Sequence, residues 1–315
     1  MLATSYWSDW RRFRSHSGMT DRGRRGLRAE IVMDAHRLEK GVTLPRPRAW
    51  FGHEVIERLL GNIAILEEGT LTDEVDSYVI SAALGALTSY FDANERTEPT
   101  IPDWAIDARD RAGKLAADHP ARREADLGGV EPIGPTAMDA SGIDAESFGR
   151  FVRSRHSVRN FASGVPDRTV IEEAIAIAAT SPSVCNRQGS RVRVFERGPQ
   201  ADAVLAHQNG NQGFGKTASH VLVISQDIES FVSPGERNQA FVDGGIFAMS
   251  LMYALHAAGL GTCALNWSRT ATDDRRLRAE LSLPPNEVVV TLLVTGYSAA
   301  EALVTCSPSR PEVIS

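Results

Sequence analysis

From Gly244 to Leu265 the chain carries no Asp, Glu, Lys or Arg. About 20 consecutive uncharged residues suffice to cross a bilayer, so this stretch either spans a membrane or must be buried by protein. It contains His256, several glycines and many alanines, and Gly259-Leu-Gly261 reads as a helix stop. The expectation is a long helix over Asn238 to Ala258, apolar on all sides and buried in a core or subunit interface rather than in lipid.

Burial of that helix requires something to cover it, and the sequence around it supplies candidates. Arg191 to Glu196 (RVRVFE), His220 to Ser225 (HVLVIS) and Glu287 to Val294 (EVVVTLLV) read as strands. Thr169 to Thr180, Gln200 to His207 and Asp273 to Leu281 read as helices between them. Helices alternating with strongly apolar strands predict a sheet covered by helices. Before about residue 150 the pattern is different. Asp21 to Lys40, His53 to Gly69, Leu71 to Asn94 and Asp103 to Ala117 carry helical spacing, and no strand is predicted there. Gly128 to Gly142 is rich in Gly, Pro and Ser and reads as a linker. The expected organisation is a helical region over 1–127, a linker over 128–145 and an α+β domain over 146–315.

Composition narrows the class. A hydrophobic share of 42%, a charged share of 23%, a net charge of −6 and a pI near 5.8 suit a soluble globular protein and argue against a general nucleic-acid binder. Cys185, Cys263 and Cys306 are odd in number and widely spaced, which indicates neither a disulfide framework nor a zinc site and points to a reducing cytoplasm. The start, MLATSYWSDWRRFR, lacks the apolar stretch of a secretion signal. Arg11, Arg12, Arg14, Arg22, Arg24, Arg25 and Arg28 cluster early and read as a solvated helix face rather than an anionic binding surface. His36 and Glu39 share a helix face but lack the further ligands of a metal site.

One motif has to be weighed before any other. Gly210 to Thr217 (GNQGFGKT) fits the G-x-x-x-x-G-K-T phosphate loop. That loop must follow a strand and open a helix, so that the helix N-terminus faces the phosphates. Here a helix precedes it and a strand follows, so a glycine-rich surface loop is expected instead.

Four other segments are candidates to carry the chemistry, each with a plain structural alternative: a solvated basic face, a Ser-Pro-Ser turn, a glycine helix cap followed by core residues, and a tail residue. The first, Arg153 to Phe161, concentrates Arg155, His156, Ser157 and Arg159, the mixture of guanidinium forks and a hydroxyl that suits a phosphate dianion. The second, Ser181-Pro-Ser-Val-Cys-Asn-Arg-Gln188, offers Ser183 and the amides of Asn186 and Gln188, each amide both donor and acceptor, as the alternating edge of a flavin pyrimidine requires. The third, Gly259 to Trp267, ends in Leu265, Asn266 and Trp267. The fourth, Cys306 to Pro311, contains Arg310.

In this order the segments resemble the nitroreductase family. Arg155-His-Ser-Val-Arg-Asn-Phe161 is similar to its R-[RH]-S-x-[RK]-x-F segment, and Ser181-Pro-Ser with Asn186 and Gln188 is similar to its S-P-S-x-x-N-x-Q segment. The Asp243-Gly-Gly helix and the Gly259-Leu-Gly261 exit fit the same order, and the likeness covers about residues 150–311. The resemblance implies a nitroreductase-like central mixed sheet flanked by helices and a flavin mononucleotide (FMN) cofactor at the interface of a homodimer. It implies Arg155, Ser157 and Arg159 at the FMN phosphate with Arg310 assisting. Asn186 and Gln188 would touch the isoalloxazine or ribityl groups, and Leu265 to Trp267 would lie beside N5. The implied reaction passes hydride from NADH or NADPH through FMN to a small organic acceptor by ping-pong kinetics, with no catalytic side chain besides the flavin. A flavin-binding module without turnover and an FMN dehydrogenase that does not use nicotinamide are the alternatives. Where the family commonly has Pro-Trp after the glutamine, this chain has Gly189-Ser190, so an aromatic wall is missing.

Overall fold

The computed structural model describes residues 2–19, 23–68, 74–118, 127–131 and 141–305. The chain is an α+β protein in which helices come first and the sheet last. Five helices precede residue 120: α1 (Leu2–His16), α2 (Arg24–Val42), α3 (His53–Glu68), α4 (Glu74–Thr97) and α5 (Asp103–Asp118). Then come α6 (Ala145–Ser154), α7 (Arg168–Ala179), β1 (Ser190–Glu196), α8 (Pro199–Ala206), β2 (His220–Asp227), α9 (Gln239–Ala257), β3 (Gly261–Asn266), α10 (Ala271–Glu280) and β4 (Glu287–Gly296). Residues 132–140 of the expected linker lie outside the described residues.

The strands form one sheet in the order β1-β2-β4-β3, each neighbouring pair antiparallel. Among the described residues the strand pairs are all antiparallel, and the parallel pairing is an isolated bridge from Ser157 to Thr262. β2 is central and all eight of its residues are buried. Its alternation divides the core in two, because successive side chains point to opposite faces. Leu222 and Ile224 pack with α7 and α9, and Val221 and Val223 pack with α8, α10, Val158 and Phe161. Each such side chain stabilises the fold by roughly 1.5–3 kcal/mol relative to exposure.

Three strands fall within two residues of their expected bounds, but β3 is a strand that the sequence reading does not include. GTCALN lacks the β-branched and aromatic density that marks a strand, and its register comes from pairing with β4, Gly261 opposite Gly296 through Asn266 opposite Thr291. What separates it from α9 is Gly259, whose φ of +78° lets the helix end and the chain reverse.

The helix α9 also departs from expectation. It is long and apolar enough to cross a membrane by length and composition, yet one face packs on α7 and the sheet. Gly244 permits this close approach, since a Cβ there would sit 2.6 Å from Val290 Cγ2. The opposite face, with Val242 and Ile246, is exposed within one chain. Burial on all sides is therefore not achieved by a single copy.

In the helical region a separate core forms from α2, α3, α4 and α5 around Leu38, Ile63, Leu87 and Tyr90. The buried Tyr90 hydroxyl donates to the Phe51 carbonyl. The early arginines divide: Arg11 and Arg14 stand exposed as expected, whereas four others meet carboxylates. Arg24 and Arg28 bind the buried Asp76, Arg25 reaches Asp227 of β2, and Arg12 meets Asp274 of α10 at 2.6 Å. Arg11 and Arg14 lie over the rings of Trp7 and Trp10. A sequence counts charges on one element but does not show the carboxylates that face it from others. Arg22 lies outside the described residues.

Candidate functional site

The basic segment begins where α6 stops. Asp144 caps that helix by accepting from the Ser147 N–H at 2.7 Å, and Arg155, at the other end, takes an extended conformation. From there the chain runs as a strap along β3. Ser157 bridges Thr262, the Val158 N–H donates to the Thr262 carbonyl at 2.9 Å, and Ala162 donates to Tyr297 at 2.8 Å. Val158 and Phe161 face the core, which turns Arg155 and Arg159 outward.

The electrostatics of the strap show on its neighbours. Burial pushes the Cys263 thiol up, against the opposing pull of Arg159, the Ser157 hydroxyl and Arg155. Burial lowers His256, and the charges of Arg155 and His156 lower it further. The ring of His256 meets the Ser154 hydroxyl at 2.8 Å and packs 5.0 Å from Phe151. So Arg155, His156, Ser157 and Arg159 gather at the C-terminal end of α9 and the start of β3. Among the described residues neither Arg155 nor Arg159 has a carboxylate partner. Thr262 Oγ1, buried beside Ser157, has no hydrogen-bond partner among the described residues.

The amide loop is built differently. Cys185, Asn186 and Gln188 all have φ near +50°, the left-handed region that non-glycine residues rarely enter. Such conformations persist only where surroundings fix them. Here the Val184 N–H donates to Asp243 Oδ2 at 3.1 Å, and Ser183 Oγ accepts from the Gln188 N–H at 3.0 Å. The anchor that sequence reasoning missed is Arg187. Its guanidinium is buried, donating to the Ser230 carbonyl and to Glu236, each at 2.7 Å, and reaching Met33 Sδ of α2 at 3.4 Å. With Arg187 pulled inward, Asn186 and Gln188 stand exposed, joined by a Gln188 Nε2 to Asn186 Oδ1 bond of 3.1 Å. A lone arginine between two amides carries no sequence signal of this role.

Gly189 follows under tight constraint. A Cβ there would lie 2.7 Å from Gln226 Oε1 and 3.2 Å from the Asp227 carbonyl. Close packing of the loop on β2 thus accounts for glycine at this place.

The remaining residues complete the layout. Leu265 is buried in the sheet core, and the Asn266 carbonyl accepts from Gln208 Nε2 at 2.8 Å. Trp267 Nε1 donates to Asp274 Oδ1 at 3.0 Å, and its ring lines a cavity of about 140 Å³ beneath α1 with Asp9, Phe13 and Phe241. Arg310 lies outside the described residues. The phosphate-loop look-alike is a loop between α8 and β2, its Lys216 exposed and 3.3 Å from Asp202.

The structure does not bring all these residues together in one chain. The amide loop is anchored at Asp243 in the second turn of α9, and the basic strap lies against His256 in the last. At 1.5 Å per residue these anchors are roughly 20 Å apart.

Comparison with known proteins agrees with this architecture. Residues 152–297 match the model of the nitroreductase family, and this part of the chain is a nitroreductase-family domain. An FMN-dependent nitroreductase from Clostridium difficile R20291 is 21% identical, with 49% of this chain and 90% of that one covered and a TM-score of 0.44. A nitroreductase family protein from Clostridium difficile 630 is also 21% identical, covering 51% and 87%, with a TM-score of 0.41. One from Clostridium novyi NT is 18% identical, covering 49% and 86%, with a TM-score of 0.43. No curated protein matches the chain.

Proposed function

We propose that the chain is an FMN-dependent oxidoreductase that works as a homodimer, using NADH or NADPH as donor and a small organic acceptor. The observation that carries the reading is the strap. Arg155 and Arg159 are guanidinium groups with no carboxylate partner among the described residues, beside the Ser157 hydroxyl and the orphaned Thr262 Oγ1. This donor set fits a phosphate dianion, which takes paired charge-assisted bonds from arginine forks. The residues present therefore fit the phosphate end of FMN.

The amide loop suits the other end. Asn186 and Gln188 present donors and acceptors toward solvent from a rigid, pinned backbone. The separation of loop and strap along α9 is resolved by a second copy, which would set its amide loop against the first copy's strap. The exposed apolar face of α9, with Val242 and Ile246, supplies the surface for that contact, extended by Phe148 of α6, whose ring lies 6.4 Å from Tyr253.

FMN, when bound, supplies the hydride-carrying chemistry between donor and acceptor. The protein's own contribution is to hold the phosphate at the strap and to orient the ring edge through the two amides. A single site visited in turn by donor and acceptor gives ping-pong kinetics. The helical region over 1–127 is proposed to serve the domain over 146–315 as a cap in a cytoplasmic enzyme.

The test is an anaerobic absorbance titration of the purified protein with each nicotinamide. Yellow protein bleached by NADH or NADPH and recoloured by a quinone or nitroaromatic is expected. Colourless protein that fails to take up added FMN rejects the reading. Bound flavin that neither nicotinamide reduces rejects the donor assignment alone.

A further inference from the structure

A cavity of about 540 Å³ opens between α2, α4 and the amide loop, within the usual size range of small-molecule sites. One wall is apolar and comes from the helical region: Val32 of α2, with Tyr78 and Val79 of α4. Tyr78 is 53% exposed, so its ring has an open face. The other wall is polar and comes from the nitroreductase-family domain: Asn186, Gln188 and Arg191. A body of one character and an edge of the other is what an amphipathic ligand meets.

The charges decide which ligand. Among those lining the cavity, most are already matched. Asp227 receives Arg25 at 3.2 Å, Asn286 Nδ2 at 2.7 Å and the Glu229 N–H at 3.1 Å. Arg28 is bound to the buried Asp76. Glu39 accepts the Gly129 N–H at 2.8 Å and lies 3.6 Å from His36. Arg191 differs. Its Nη1 donates to the carbonyls of Gln188 and Ser190 at 3.1 and 2.8 Å, which fixes the side chain. Among the described residues its Nη2 has only a long ion pair with Asp227 at 3.9 Å, a carboxylate other groups already hold. The result is an oriented guanidinium with an unmatched edge, the arrangement that takes a carboxylate or sulfonate.

We propose that this cavity binds a planar aromatic anion, its charged group on Arg191 and its ring against Val32, Tyr78 and Val79. Arg191 and Gln188 also line a neighbouring cavity of about 230 Å³ beside Ser183 and Asp243. A ligand seated on Arg191 is therefore next to the amides assigned to the flavin. Its role as electron acceptor rests on the FMN reading; its binding does not.

Titration calorimetry of the full chain with para-nitrobenzoate and with nitrobenzene tests the assignment. The anion is expected to bind at least about tenfold more tightly, a difference of about 1.4 kcal/mol. Arg191→Ala should abolish that preference and leave nitrobenzene unchanged. Arg191→Lys should retain part of the preference, and Tyr78→Ala should weaken both probes. Equal affinity for the two probes in the native chain, no binding of either, or a preference that survives in folded Arg191→Ala overturns the proposal. FMN uptake is followed separately by absorbance. A chain that prefers the anion but takes up no FMN keeps the cavity assignment and loses the acceptor role. A chain that takes up FMN without the preference loses the cavity assignment alone.

Discussion

Arg187 donates to Glu236 Oε1 at 2.7 Å, and this buried ion pair holds the loop from which Asn186 and Gln188 project. Burial works against both charges. It would lower Arg187, but the hydrogen bond to Glu236 prevails; it would raise Glu236, but that bond and two backbone N–H donors prevail. Removing one partner of a buried pair strands the other. Arg187→Ala is therefore expected to destabilise the protein by about 3 kcal/mol in urea unfolding. In the folded fraction, flavin affinity should also fall because the amides lose their seat. A loss below about 0.5 kcal/mol would show that Val184 and Ser183 suffice to pin the loop.

Acid should unfold the protein in two stages. Burial lowers His220 from 6.5, so it is neutral in the fold and protonates more readily when unfolded. Its contribution is complete above pH 6.5 and is lost as pH falls toward its depressed folded value. Glu287 is buried, which alone would raise it, but Arg193 and Ser225 hold it below 4.5. Its contribution is complete above pH 4.5 and is lost as pH falls through the lowered folded value, as is that of Glu236. Urea midpoints measured across pH should decline from about 6.5 and again below about 4.5. His256 is lowered in the same way, so His220→Gln should reduce the upper decline without removing it and leave the lower one unchanged.

The strap makes a prediction that separates phosphate binding from ring binding. The double variant Arg155→Ala, Arg159→Ala should weaken FMN by at least about a hundredfold, taking roughly 1.5 kcal/mol for each charged hydrogen bond. Riboflavin, which lacks the phosphate, should bind both proteins alike. Equal losses for the two ligands in fluorescence titration would remove the strap from the phosphate site.

The exposed face of α9 makes another. Ile246→Lys places a charge in the proposed interface without touching the core, since Ile246 is 40% exposed in one chain. Sedimentation should show a dimer for the native chain and a monomer for the variant, with flavin lost on dissociation. A native chain that sediments as a monomer at micromolar concentration would refute the two-copy site.

Gly189→Ala tests the departure from the family pattern. The new methyl would press on Gln226 Oε1 and the Asp227 carbonyl. A loss of about 1–3 kcal/mol in thermal unfolding is expected. An unchanged Tm would mean that β2 yields and that an aromatic wall is sterically available here.

Much of this was legible in sequence because it is local. The strands β1, β2 and β4 announce themselves by runs such as HVLVIS, and the arginines and amides of the candidate site stand out by their spacing. β3 did not, because Gly261 to Asn266 becomes a strand only by pairing with β4. Nor did the role of Arg187, whose partners Glu236 and Met33 lie far off in the chain. The early arginines read as surface for the same reason: Asp76, Asp227 and Asp274, which neutralise them, come from other elements. Spacing singled out both candidate segments; only the geometry showed them at opposite ends of one helix.

The family match begins at residue 152, but the scaffold does not. Met33 touches Arg187, the Gly26 N–H donates to Glu229 at 3.0 Å, and Arg25 reaches into β2 at Asp227. A cut at the edge of the recognisable domain would leave the loop that carries Asn186 and Gln188 without part of its foundation. The helical region belongs to the scaffold as much as the sheet does.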